Sequence, residues 1–195
     1  LISTEAVTVV LSEKGWVRAA KGHEVNAMEL NYRSGDGFLQ AVSGRSNQDA
    51  VFLDSVGRAY MAAAHTLPSA RGQGEPLTGR FSPPGGAYFT GVALAERDVL
   101  FVVSSDAGYG FVVTLGDMIT KNKSGKSVLS VPKGGIVNKP AIVRDEENEL
   151  IAAFSNEGRL LVFPVSDLPK LGRGKGVKIM NIAKDRVEER LEFMH

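Results

Sequence analysis

Short apolar runs separated by polar, glycine-bearing turns recur along the chain, and this pattern is typical of β-hairpins. In four segments an apolar run leads into a serine or aspartate, a glycine follows, and a second apolar run begins. The serine or aspartate favours a turn by bonding to nearby backbone groups, and the glycine supplies a positive φ. The predicted turn glycines are Gly15, Gly57, Gly108 and Gly158.

The hairpins repeat with a period near fifty residues, because successive turn glycines are 42, 51 and 50 residues apart. After each of the last three hairpins comes a polar loop, centred on Gly74, Gly125 or Gly174. Third strands are predicted at 77–82, 127–131 and 178–182, and fourth strands at 87–95 and 136–143. Four short strands per unit at this period predict an all-β propeller or a related solenoid.

We expect one repeat domain over residues 1–195, with approximate repeats 7–47, 48–97, 98–147 and 148–195. Helix is scarce in this pattern. Only residues 185–192 have a helix-forming composition, and a last strand through Leu191–Met194 is the alternative for the end of the chain.

Composition narrows the class of protein without pointing to a partner. The chain is 43% hydrophobic and 23% charged, with a formal net charge of +1. The absence of cysteine excludes disulfides and thiolate metal sites. No apolar run is long enough to predict a membrane span. The first residues lack a methionine and a signal core, so we expect a piece of a cytosolic protein.

Residue patterns that resemble catalytic motifs fail on their surroundings. Gly125–Ser127 resembles the end of a phosphate-binding P-loop, but Thr120 stands where the motif needs glycine and a strand is predicted to follow. The histidines His23, His65 and His195 lie in different units without ligand spacing. We therefore predict no catalytic residue, no metal site and no small-molecule substrate.

Basic residues recur at one position of the repeat, in the glycine-bearing loop. From Met118 to Arg144 the chain has six basic residues and no acidic one, and acids then cluster at 145–149. Glycines let backbone N–H groups approach phosphates, while Lys and Arg release condensed counterions. The predicted DNA contacts are Arg71, Arg80, Lys121, Lys123, Lys126, Lys170, Arg173, Lys175 and Lys178.

The scarcity of aromatic residues in these loops favours contact with the duplex backbone over stacking of single strands. Two alternatives stay open on the residues alone. The basic edge of a propeller could meet an acidic protein partner, or polar groups converging on a central channel could form an enzyme or sugar site.

Several long strings resemble the C-terminal domain of the A subunit of bacterial topoisomerase IV (ParC), a relative of the gyrase A C-terminal domain. They lie at 9–23, 30–32, 67–79, 105–112 and 163–176. The resemblance implies an open or spiral β-propeller, a β-pinwheel of about four blades that exchange strands. It implies a non-catalytic domain that binds or bends duplex DNA around its outer edge and presents it for strand passage, in decatenation and supercoil relaxation during chromosome segregation.

The resemblance also implies partners outside this chain. These are the rest of ParC and the ParE subunit in a heterotetramer, with ATP and Mg²⁺ used by other domains of an isomerase. The expected location is the bacterial cytoplasm at the nucleoid, with the holoenzyme at the periphery of the inner membrane.

The chain departs from the gyrase pattern at the basic box Q-R-R-G-G-K-G, of which it has no intact copy. The nearest degenerate versions are Ser69–Glu75 and Lys170–Gly176. This departure argues against a gyrase A-type wrapping domain, the alternative within the family. Because the first unit lacks a basic loop, DNA is expected to touch the second to fourth units most.

Overall fold

The structure is a computed structural model that describes residues 3–180, 182 and 191–194, the last four by their backbone only. The described chain is almost entirely β-strand. The strands are β1 Ala6–Ser12, β2 Trp16–Lys21, β3 Phe38–Arg45, β4 Asp49–Asp54, β5 Arg58–Ala63, β6 Glu75–Pro76, β7 Phe89–Ala95, β8 Leu100–Ser104, β9 Tyr109–Thr114, β10 Lys126–Ser127, β11 Ala141–Val143, β12 Leu150–Ser155, β13 Leu160–Pro164, β14 Val177–Lys178 and β15 Leu191–Met194.

Single 3₁₀ turns interrupt the loops, at Ala27–Glu29, Ala64–Thr66, Leu77–Gly79, Gly116–Met118 and Val165–Asp167. No helix in the described part of the chain is long and apolar enough to cross a membrane. The helix predicted at 185–192 falls mostly outside the described residues, and residues 191–194 form the strand given as the alternative.

The strands form four antiparallel sheets, each built on one predicted hairpin. We call them blade 1 (β3-β1-β2-β6), blade 2 (β10-β5-β4-β7), blade 3 (β11-β8-β9-β14) and blade 4 (β13-β12-β15). In blades 1 to 3 the inner edge strand is β3, β7 or β11, and the outer edge strand is β6, β10 or β14. The all-β, open propeller fold with exchanged strands is confirmed.

The outer strands cross from one repeat to the blade before it. For example, β6 follows the second hairpin in sequence but pairs with β2, with Trp16 opposite Pro76. The predicted third strands are therefore wrong in extent: two residues pair in each case, and Leu77–Gly79 is a 3₁₀ turn. The reason is the close packing of the loop on the preceding blade, since a Cβ on Gly74 would lie 2.3 Å from the Val17 carbonyl oxygen.

The hairpin turns follow the predicted chemistry. All four turn glycines have positive φ, between 80° and 96°. At the second turn one Asp54 carboxylate oxygen accepts from the N–H groups of Val56 (3.0 Å) and Arg58 (2.9 Å). These bonds form within a five-residue segment, which is why local sequence predicted the turns.

The apolar cores lie between neighbouring blades. Between blades 1 and 2, the buried rings of Phe52, Tyr60 and Phe81 form one cluster, with the Tyr60 and Phe81 centroids 5.3 Å apart. The Tyr60 hydroxyl donates to Asp54 at 2.7 Å, so the buried phenol has its partner. Separate clusters join blades 2 and 3 and blades 3 and 4.

The first repeat has no preceding blade in the described chain, and its post-hairpin segment folds back onto blade 1. The Thr8 hydroxyl donates to the Gly22 carbonyl at 2.7 Å. The ring of Tyr32 lies under the Arg18 guanidinium, 4.7 Å from ring centroid to Cζ. Residues 22–37 thus lie over blade 1 where later repeats send an outer strand to a neighbour.

Candidate nucleic-acid interface

Three glycine-bearing loops lie along the outer edges of three consecutive blades. We call them rim loop 1 (residues 69–76), rim loop 2 (121–127) and rim loop 3 (170–178). They end in β6, β10 and β14, which pair with the second hairpin strands of blades 1, 2 and 3. The predicted basic loops of repeats two to four therefore sit on blades 1 to 3, one blade earlier than the sequence order suggests.

Equivalent backbone hydrogen bonds hold rim loops 1 and 3 against their blades. The Ala19 N–H donates to the Pro68 carbonyl at 2.8 Å, and the Val112 N–H donates to the Pro169 carbonyl at 2.9 Å. Each rim loop then turns at a glycine of positive φ packed on the preceding blade. These glycines are Gly74, Gly125 and Gly176, so the sequence-based choice of Gly174 was two residues early.

The rim is continuous from one repeat to the next. The Ser82 N–H donates to the Lys123 carbonyl at 2.8 Å, which joins the segment after rim loop 1 to rim loop 2. Gly174 then both donates to Val128 and accepts from Ser130, each at 2.8 Å. The three loops therefore form one connected outer edge.

Seven of the nine predicted contact residues present cations with no ion pair to any described residue. Six are exposed and Lys126 is half-buried. The seven are Arg71, Lys121, Lys123, Lys126, Arg173, Lys175 and Lys178. Their charge is available to a phosphate without breaking an existing pair.

Two of the predicted contacts, Arg80 and Lys170, are paired with acids, and Lys175 contacts an aromatic ring. The Arg80 guanidinium donates to the Glu75 carboxylate at 2.5 Å and to the Thr66 backbone, and so fastens rim loop 1. Lys170 forms an ion pair with Glu146. The Lys175 ammonium lies 3.9 Å from the centroid of the Tyr109 ring. The structure thus places Arg80 as a fastening of the loop more than as a free cation.

Sequence reasoning missed Arg58, which fastens rim loop 2. Its Nε and Nη2 donate to the carbonyls of Ser124 and Gly125, both at 2.9 Å. Arg58 directly follows the turn glycine Gly57, and the equivalent residues in blades 1 and 3 are Trp16 and Tyr109. The position after the turn glycine is therefore where a blade contacts the rim, and its spacing was readable in the sequence.

The inner edges of blades 1 to 3 line an open pocket of about 350 Å³, which we call the central cavity. Its polar lining includes His23, Arg45, Gln48, Glu96 and Arg144. Some of these groups bond to protein: His23 Nε2 lies 2.8 Å from the Gly44 carbonyl, and Gln48 donates to Glu96 at 3.2 Å. Among the described residues, no three His, Asp or Glu side chains could together hold a metal. Lys126–Ser127, the P-loop-like pair, forms strand β10.

Comparison with known proteins bears on this arrangement. The family model for the DNA gyrase C-terminal domain, beta-propeller, matches residues 149–191. The A subunit of DNA topoisomerase 4 from Pseudomonas aeruginosa is 60% identical over 194 residues, covering 100% of this chain and 26% of that protein. The corresponding protein of Escherichia coli K12 is 48% identical over 182 residues, covering 93% of this chain and 24% of that protein. The chain thus spans about a quarter of the length of these curated relatives.

Solved structures show the same fold. The E. coli ParC C-terminal domain matches with a TM-score of 0.83 at 48% identity, over 96% of this chain and 78% of that one. A DNA gyrase A C-terminal domain matches with a TM-score of 0.70 at 15% identity, over 95% of this chain and 63% of that one, and shows the fold alone. The chain belongs to the family of C-terminal β-propeller domains found in the A subunits of topoisomerase IV, a type II topoisomerase.

Proposed function

We propose that this domain binds duplex DNA by its phosphate backbone along the rim, bends it, and presents it for strand passage. The observation that carries the proposal is the hydrogen-bonded continuity of the three rim loops, with seven cations along them that form no ion pair with any described residue. A row of fixed cations on one edge binds phosphates of any sequence, and the described chain has no α-helix that could lie in the major groove.

The rim favours bending over tight wrapping. Rim loop 1 contains one cation, Arg71, and Arg80, four residues beyond the loop, is paired with Glu75. Cation density therefore changes along the edge, and the degenerate boxes reduce the charge available to hold a long DNA turn. This supports a guide for DNA more than a spool.

The role in decatenation and supercoil relaxation during chromosome segregation is part of the same proposal. The parent protein would act as a subunit of an ATP-dependent topoisomerase with ParE in a heterotetramer. ATP and Mg²⁺ would bind in other domains, and the enzyme would work at the nucleoid in the bacterial cytoplasm, in part near the inner membrane. The present chain would contribute no catalytic group.

A charge-reversal experiment tests the proposal on this chain. The variant Lys121→Glu/Lys123→Glu/Lys126→Glu removes the cations of rim loop 2. Duplex affinity should fall for all sequences alike, and the slope of log affinity against log salt should drop by about 2.7, at about 0.9 for each phosphate contact. Fluorescence anisotropy across a salt series measures both quantities.

The control reverses two charges at the central cavity, Arg45→Glu/Arg144→Glu, and should leave binding unchanged. Ligation of a nicked circle with bound domain measures chiral wrapping as a change in linking number, which should stay small for a domain that guides DNA without wrapping it. An unchanged affinity of the rim variant, or salt-independent binding, would contradict the proposal and favour an acidic protein partner for the rim.

A further inference from the structure

Blade 1 carries an exposed arginine on the rim side that sequence reasoning did not select. The Arg33 guanidinium stacks over the Trp16 ring, with Cζ 4.2 Å from the centroid. Arg33 is exposed and forms no ion pair with any described residue. A guanidinium held over an indole face still has N–H groups that can donate to phosphate oxygens, and the ring contact limits its rotation.

The position of Trp16 places this arginine beside rim loop 1. Trp16 lies on β2 directly opposite Pro76 of the outer strand β6. Blade 3 has a related arrangement: Tyr109 also follows its turn glycine and lies opposite Lys178, and the cation over its ring, Lys175, comes from rim loop 3 itself. The stacked cation is thus a repeated feature of the rim.

A buried arginine of β2, two residues after Trp16, bonds to rim loop 1. Arg18 is 3% exposed, and its Nη1 donates to the Gly72 carbonyl at 2.8 Å. Its Nη2 is buried and has no hydrogen-bond partner among the described residues. The charge of Arg18 therefore lies directly beneath the loop that has the fewest free cations.

We propose that Arg33, stacked on Trp16, is a DNA phosphate contact of blade 1, and that Arg18 positions rim loop 1 next to it. This inference rests on the proposed DNA-binding function and extends the row of DNA contacts to the first repeat, which lacks a basic loop of its own. Blade 1 would then have two free cations, Arg71 from repeat two and Arg33 from repeat one.

The test compares Arg33→Gln with Arg45→Gln. Both are exposed arginines of the first repeat, but Arg45 ends the inner strand β3 and lines the central cavity. Loss of one phosphate contact should lower the salt slope by about 0.9, and in about 0.1 M salt this equals a loss of about eightfold in duplex affinity. Arg45→Gln should change neither quantity.

The protein has one tryptophan, so intrinsic fluorescence reports on the stacked pair itself. Titration with a duplex of about two helical turns should change the Trp16 emission at the same DNA concentration as the anisotropy. In Arg33→Gln the emission should no longer respond to the DNA that still binds, while in Arg45→Gln it should respond as in the wild type.

The outcomes separate this inference from the proposed function. If Arg33→Gln binds DNA with wild-type affinity and salt slope while the rim loop 2 variant is impaired, the inference is wrong and the function stands. If both variants bind like the wild type, the proposed function is wrong. An Arg33→Lys variant should recover most of the affinity, since it restores the charge.

Discussion

Two turn glycines with the same backbone angle give a direct test of strand exchange. Gly57 and Gly158 both have φ +88° and occupy the same position of their hairpins. A Cβ on Gly57 would lie 1.8 Å from the Leu129 carbonyl oxygen of the exchanged segment, whereas a Cβ on Gly158 meets nothing in the described chain within 4 Å. Alanine at the two sites therefore imposes the same turn strain but only one steric overlap.

The expected losses follow from these contacts. The left-handed backbone costs an alanine about 1–2 kcal/mol at either site. At Gly57 the Val128 and Leu129 N–H groups also donate to the glycine carbonyl, both at 3.0 Å. Losing these two bonds adds about 2 kcal/mol, before any loss from uncovering the two side chains. We expect about 3–5 kcal/mol for Gly57→Ala and about 1–2 kcal/mol for Gly158→Ala.

Urea denaturation of the 195-residue chain followed by circular dichroism measures this difference. A difference of about 2 kcal/mol corresponds to a melting temperature lower by about 4–8 °C for Gly57→Ala. Amide hydrogen exchange at Val128 and Leu129 should quicken in Gly57→Ala and stay unchanged in Gly158→Ala. Equal losses of stability, with unchanged exchange at both amides, would refute the argument that the following repeat seats its strand on this turn.

Three further substitutions test the fastenings. Burial, and then the hydrogen bond to Asp54, raise the pKa of Tyr60 above its usual value. Its contribution to stability is thus complete below about pH 10 and declines above it. In Tyr60→Phe the alkaline decline of the free energy of unfolding should be smaller by about 1.4 kcal/mol per pH unit. Urea midpoints in an alkaline pH series measure this, and identical declines in the variant and the wild type would contradict it. Arg58→Met should cost about 1–2 kcal/mol and quicken amide exchange in rim loop 2 but not in rim loop 3. Arg80→Met should loosen rim loop 1 and cost about 1 kcal/mol in urea denaturation, with Arg71→Met as the control that leaves stability unchanged.

The hairpins could be predicted from sequence because their information is local. A serine or aspartate, a glycine three residues later and flanking apolar runs specify each turn within a few residues, as the Ser12 hydroxyl bonded to the Trp16 N–H at 3.0 Å shows. The repeat period then follows from the spacing of the turns. The basic loops could be located for the same reason, since composition alone marks them.

Strand exchange could not be predicted from the residues alone because it depends on contacts between repeats. Nothing near Lys126 and Ser127 specifies that they pair with Ala59 and Arg58, nearly seventy residues earlier. The pairing depends on the close packing of Gly125 against blade 2, where a Cβ added to the glycine would lie 2.7 Å from the Tyr60 ring. The Lys170–Glu146 pair was missed for the same reason, because Glu146 belongs to the preceding repeat. The Arg80–Glu75 pair is local, since the two residues are five positions apart, and the sequence could have indicated it.

On the rim, the residues that the fold constrains differ from the residues that are proposed to contact DNA. The fold constrains the loop glycines and the two residues of each outer strand, because these touch the backbone of the preceding blade. It places no such demand on Arg71, Lys121 or Arg173, whose side chains are exposed and make no ion pair with described residues. A basic box can therefore lose charge while its loop keeps its position. On the proposed function, charge missing from the degenerate boxes would weaken the hold on DNA while the loop glycines keep their contacts with the preceding blade. The difference between guiding and wrapping DNA would then lie in outward side chains that the propeller itself leaves free to vary.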